Sequence, residues 1–135
     1  MYNENNTAQQ VLRGVDQLLA VMARLRDPQQ GCPWDLKQSM QSLVPYTIEE
    51  AYEVAAAIAD LGAVEEGSNK TERAALQGEL GDLLFQVVFY AQLGKESQWF
   101  DFDDIAQAMA EKLILRHPHV FGSETVSDAH EVKQR

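Results

Sequence analysis

An all-α fold is predicted for this chain: a helical bundle of four main helices plus a short one. Three observations carry that expectation. Apolar residues recur at three- and four-residue spacing through several long stretches. Breaks bearing proline and glycine separate those stretches. No segment shows the sustained period-two alternation of a strand.

The first stretch, Thr7 to Arg26, places Val11, Leu12, Val15, Leu18, Leu19, Met22 and Leu25 on one helical stripe. "RDPQQGCPWD" interrupts it with Pro28, Gly31 and Pro33. A short helix is expected from Asp35 to Leu43, with Asp35 as N-cap and Pro45 closing it. Thr47 followed by Glu50 reads as a capping box, so a helix is expected from Ile48 to Leu61 with Gly62 at its C-cap. "GAVEEGSNKTER" is a polar linker. The next helix is expected from Glu72 to Gly94. "GKESQWFDFDD" connects it to a last helix, capped by Asp101 or Asp103, that reaches Arg116 before Pro118 stops it. Residues 1–122 read as one domain, and the polar tail 123–135 as a truncated linker or the start of another helix.

The 135 residues suit a single core, and 45% hydrophobic content excludes a disordered polymer. No apolar run is long enough to span a bilayer, and "MYNENNTAQQ" resembles no signal or transit peptide. The one cysteine, Cys32, precludes an intramolecular disulfide or a thiolate zinc cluster, so a cytoplasmic location is expected. A net charge of −10 repels nucleic acid and makes a genome-binding role unexpected. A phosphate ligand would need a local cation, from a side chain or a metal.

The acidic residues of two helices stand out. In "TIEEAYEV", Glu49, Glu50 and Glu53 share one arc at about 100° per residue, with no basic partner three or four residues on. A solvated polar face is the ordinary reading of such a run. In "GELGDLLFQVVFYAQ", Glu79 and Asp82 sit side by side on a helix apolar on every side, which predicts a buried helix. Burying unpaired carboxylates costs several kcal/mol, about an order more than a helix N-terminus returns. A proton, an arginine or a metal must compensate. Antiparallel neighbours would bring the two acidic pairs together, and an oxygen-only ligand set suits Mg²⁺, or Mn²⁺ in its place. No Glu-x-x-His occurs, which argues against a ferritin-like di-iron plan.

"GCPWD", "YTIEEAYEV", "GELGDLLFQVVFYAQ" and "RHPHVFG", in that order, closely resemble the MazG family of nucleoside triphosphate pyrophosphohydrolases, over roughly Leu12 to Gly122. The resemblance implies an all-α intertwined homodimer that uses Mg²⁺ to hydrolyse an NTP or dNTP to the monophosphate and pyrophosphate. It implies Glu50, Glu53, Glu79 and Asp82 as metal ligands. Glu49 and Glu53 are the candidates to orient or deprotonate the attacking water. The stretch between the acidic helices looks longer than in many bacterial members, and the chain looks like a single unit where many members carry two.

Lys112 and Arg116, four apart on the arc of Ile105 and Met109, continue an apolar stripe expected to face inward. Cations are favourable at a helix C-terminus in any case. The resemblance adds an expected contact with phosphate, with Lys37 a lesser candidate. Trp34 is a candidate base contact, although a tryptophan after proline is more often a hydrophobic plug. The competing reading is a non-catalytic helical dimer that binds nucleotide or metal for regulation. The completeness of the acidic set favours catalysis.

Overall fold

The structure is a computed structural model and describes residues 12–122. It is all-helical there: α1 (Gly14–Leu25), the short α2 (Pro33–Leu36), α3 (Met40–Gly62), a 3₁₀ turn (Glu66–Ser68), α4 (Lys70–Glu96), α5 (Phe102–Arg116) and a final turn α6 (Pro118–Phe121). The start of the first expected helix, Thr7 to Val11, and the tail 123–135 lie outside the described residues.

Four expected boundaries are corrected. Asp35 is not an N-cap; Cys32 caps α2, Pro33 fills its first position and Asp35 lies buried within it. More consequentially, Pro45 does not end a helix. α3 begins at Met40, where Ser39 and Ser42 form the capping box: Ser42 N–H donates to Ser39 Oγ at 3.1 Å and Ser39 N–H to Ser42 Oγ at 2.8 Å. Pro45 then sits in the second turn, where its ring removes one ladder bond, and the helix continues to Gly62. Thr47 is therefore interior to α3, and the expected cap at Thr47 and Glu50 is absent. Gly62 is helical as well, with Ala63 as the right-handed C-cap. The last helix matches its expectation, with Asp101 as N-cap and a reciprocal bond to Asp104.

α3 and α4 form an antiparallel hairpin that is the backbone of the fold, with α1 laid on α4. The core, Met22, Leu43, Val88, Phe89 and Leu93, lies at the end of the hairpin opposite its connection. Only the second half of α4 is buried as predicted: Gln86, Val88, Phe89, Ala91, Leu93 and Gly94. Three other apolar side chains of α4 are not: Leu80 is 48% exposed, and Leu84 and Val87 in the second half are open as well. Gly94 permits the turn into α5, because a Cβ there would meet the Phe100 ring at 2.4 Å.

One arginine locks this end. Arg26 donates Nη1–H to the carbonyl of Asp35 at 2.7 Å, Nε–H to Glu96 Oε2 at 3.0 Å and Nη2–H to Glu96 Oε1, and lies over the Phe89 ring at 5.9 Å. The bidentate pair joins the end of α1 to the end of α4. Arg26→Ala is expected to destabilise the fold by about 2–3 kcal/mol, since it leaves polar groups unpaired and removes packing on Phe89; urea unfolding measures it. The bond from Arg26 holds the Glu96 carboxyl below its ordinary value of 4.5. Because the folded value is the lower one, the pair's contribution is full above pH 4.5 and is lost as pH falls below that. The same loss should be absent from Glu96→Gln in an acid titration.

Candidate functional site

The hairpin register places the acidic residues. Thr47 on α3 lies opposite Gln86 on α4, with Thr47 Oγ donating to Gln86 Oε1 at 2.8 Å. In an antiparallel pair, each step forward on one helix is a step back on the other. Glu50 therefore faces Asp82, and Glu53 faces Glu79. The carboxylate oxygens of Glu50, Glu79 and Asp82 lie within 4.8 Å of one another. The charge of Glu53 reaches Glu79, and those of Glu49 and Glu53 reach Glu50. Three acids from two helices thus meet in one place, and the charges of Glu49 and Glu53 are felt there.

The electrostatics are unfavourable as they stand. Partial removal from water pushes the Glu50 carboxyl above the usual range, and the charges of Asp82, Glu79, Glu49 and Glu53 add to it. The Glu79 carboxyl is pushed up by the same loss of water, then by Asp82 and Glu53. No cation relieves them: among the described residues the ion pair is Arg26 with Glu96, at the other end of the hairpin. Glu50 Oε2 is shut from solvent and accepts no hydrogen bond. A buried carboxylate oxygen without a donor is the position a cation fills. Beside it the surface is open, because a Cβ added at Gly78 or Gly81 would meet nothing within 4 Å. The donor set is all oxygen, part buried and part exposed, which fits a hard divalent ion that keeps some of its own water.

The other candidates divide. Trp34 is 48% exposed, its ring edge-on to Tyr46 at 5.8 Å and 75°, and Tyr46 stands one turn before Glu50 on α3. It is thus a half-open aromatic resting on α3 through Tyr46. Lys37, the C-cap of α2, is exposed. Lys112 and Arg116 do not meet the expectation of an inward face. α5 has no buried residue, Met109 and Leu113 on the same stripe are exposed, and α5 joins the core through Phe102 at its start. Neither basic side chain bonds to the acidic cluster. Within one copy of the chain, α5 packs on the end of α4 and on the short α6 that follows it, and neither covers this stripe.

Sequence reasoning missed two groups. Arg26 and Glu96 are seventy residues apart, and no local pattern marks long-range pairs. Thr47, read as a cap, bonds Leu43 O at 3.1 Å, Gln86 Oε1 at 2.8 Å and Tyr90 OH at 2.6 Å. A glutamine in an otherwise apolar run was the available signal for it.

Comparison with known proteins agrees with this geometry. Residues 38–121 match the family described as the MazG nucleotide pyrophosphohydrolase domain. The nucleoside triphosphate pyrophosphohydrolase of Escherichia coli K12 is 50% identical over 121 residues, which is 90% of this chain and 42% of that protein. A nucleoside triphosphate pyrophosphohydrolase/pyrophosphatase MazG from Thermotoga maritima is 44% identical over 107 residues, 79% of this chain and 38% of that protein. The uncharacterized protein YabN of Bacillus subtilis is 39% identical over 132 residues, 98% of this chain and 23% of that protein. The chain thus spans less than half the length of these relatives.

Proposed function

The chain belongs to the MazG nucleotide pyrophosphohydrolase family, and from that premise we propose that it hydrolyses nucleoside triphosphates, NTP or dNTP, to the monophosphate and pyrophosphate with Mg²⁺, or Mn²⁺ in its place. The observation that carries this reading is the meeting of Glu50, Glu79 and Asp82 oxygens around one orphaned, buried oxygen of Glu50. Glu53, facing Glu79, completes the ligand set. We read residues 1–122 as one catalytic unit.

When bound there, a divalent ion supplies the positive charge that a triphosphate needs to approach a chain of net charge −10. The protein's own groups do the rest. Glu49 and Glu53, both exposed at the mouth of the cluster, orient a water toward the α-phosphorus and take up its proton as the P–O bond to pyrophosphate breaks. Glu53 serves first as a ligand and Glu49 first as the water's partner. Trp34, open and braced by Tyr46, offers a face for the base.

The reading includes a homodimer. Leu80, Leu84 and Val87 on α4 and Met109, Leu113 and Leu115 on α5 lie exposed in one copy, more apolar surface than a lone chain of this size ordinarily shows to water. A second copy laid over α4 and α5 covers it. In one copy neither Lys112 nor Arg116 pairs with the acids, and a second copy is what would bring them to the phosphates. Light scattering should report twice the mass of the chain.

Incubation with each NTP and Mg²⁺, followed by separate assays of pyrophosphate and orthophosphate, tests the reaction. Pyrophosphate is the expected first product; orthophosphate first would identify a phosphatase and defeat the reading. Glu53→Gln and Asp82→Asn should keep their helical circular dichroism and lose at least about 100-fold in turnover.

A further inference from the structure

We propose that Thr47, Gln86 and Tyr90 are positioning residues that fix the α3–α4 register in which Glu50 meets Glu79 and Asp82; this rests on the reading of those acids as the metal site. Among the described residues, the side-chain hydrogen bonds joining α3 to α4 are those of this group. Gln86 is buried and Thr47 half-buried. Tyr90 packs on the core from its ring and turns its hydroxyl to Thr47. The single Thr47 Oγ–H is shared between Gln86 Oε1 at 2.8 Å and Leu43 O of its own helix at 3.1 Å, with Gln86 the nearer; since that proton is used there, the Tyr90 O–H donates to Thr47 Oγ at 2.6 Å, and the bonds cross the hairpin.

The site needs such a device. Apolar contact is non-directional and tolerates sliding, and five mutually repelling acids push the hairpin toward any register that separates them. A slip of one helical turn is about 5.4 Å, more than the 4.8 Å that contains the three converging oxygens. Such a slip would take the Thr47 hydroxyl, which keeps Leu43 O within its own helix, away from the buried Gln86 amide oxygen and leave that oxygen without this donor in the interior, where unpaired polar groups are costly. Position fits the task as well. Thr47 stands one turn from Glu50 and Gln86 one turn from Asp82, so the network grips both helices beside the acids while touching none of them. Pro45, two residues before Thr47, lacks an N–H and weakens the ladder at this point. The side-chain tie therefore lies where the helix's own bonding is thinnest.

The test is Mn²⁺ binding to the nucleotide-free protein, followed by electron paramagnetic resonance, with thermal unfolding in parallel. Thr47→Val keeps shape and removes the hydroxyl; it should weaken Mn²⁺ binding by about 10–100-fold. Thr47→Ser restores the hydroxyl and should bind within about threefold of the parent. Tyr90→Phe, a milder change that keeps the core ring, should weaken binding in the same direction even where Thr47→Val folds poorly. Arg26→Ala loosens the far end of the same hairpin without a hydrogen bond to Thr47, Gln86 or Tyr90, and should lower the melting temperature while leaving Mn²⁺ affinity unchanged. Parent-like Mn²⁺ affinity in both Thr47→Val and Tyr90→Phe overturns the proposal. So does an equal loss in Arg26→Ala, which would mean that any destabilisation acts alike. A parent protein that binds Mn²⁺ through these acids but releases no pyrophosphate would overturn the proposed reaction and leave the positioning role standing.

Discussion

Glu50→Gln is expected to stabilise the metal-free protein while abolishing its activity. The two effects have one origin. Glu50 Oε2 is buried without a donor, and its carboxyl feels loss of water and then four neighbouring acids. At neutral pH every one of those terms disfavours the charged form. An amide of the same shape removes the charge, keeps the packing and relieves Glu79, Asp82, Glu49 and Glu53 together. The melting temperature without metal should therefore rise. Activity should move the other way, falling by at least about 100-fold, because the most buried ligand oxygen is replaced by a neutral amide that binds a hard ion poorly. Adding Mg²⁺ should raise the melting temperature of the parent and barely move that of the variant. Residues that destabilise a resting fold and are retained at a cleft are the mark of a site arranged for a partner. A variant less stable than the parent without metal would contradict this, and would mean that Glu50 is satisfied by something within the protein.

Much of this was legible in the sequence. The all-α class followed from periodicity, and the acids from the absence of compensating lysine or arginine around Glu49, Glu50 and Glu53. What failed did so for identifiable reasons. Pro45 reads as a stop by local pattern, yet the capping box of Ser39 and Ser42 starts the helix before it, and packing of α3 on α4 carries the helix past the ladder bond that the proline removes. Thr47 was read as a cap because Thr-x-x-Glu is a common signature; the buried Gln86 across the hairpin overrides it. The all-round apolarity of α4 was read as burial. It holds for Val88, Phe89 and Leu93, while Leu80, Leu84 and Val87 remain exposed in one copy. Helical periodicity reports that a face avoids water without saying which chain covers it. The same gap explains Lys112 and Arg116, whose stripe is apolar but finds no partner within the protomer.

Divalent metal should be the largest single stabiliser of this protein, and its effect should depend on pH in a defined direction. Binding to the folded state alone contributes RT ln(1 + [M]/Kd), about 2.7 kcal/mol at a hundredfold excess over Kd, or roughly 10 °C in melting temperature for a domain of this size. The pH dependence follows from the acids. Glu50 and Glu79 titrate above their ordinary value of 4.5 in the metal-free fold. With folded values higher than unfolded ones, their contribution is favourable below pH 4.5 and is lost as pH rises through the folded values. As the pH rises through those folded values, Glu50 and Glu79 lose their protons and the metal-free cluster grows more repulsive, which is the form that a cation binds. Around pH 4.5 the ion must displace protons, and its stabilisation should shrink toward nothing. Calorimetric scans with and without Mg²⁺ across this range should show a gap that widens with pH, and Asp82→Asn should close it at every pH. A gap of constant width would place the ion on ligands that do not titrate there, and a gap that narrows with rising pH would reverse the sign on which the metal site depends.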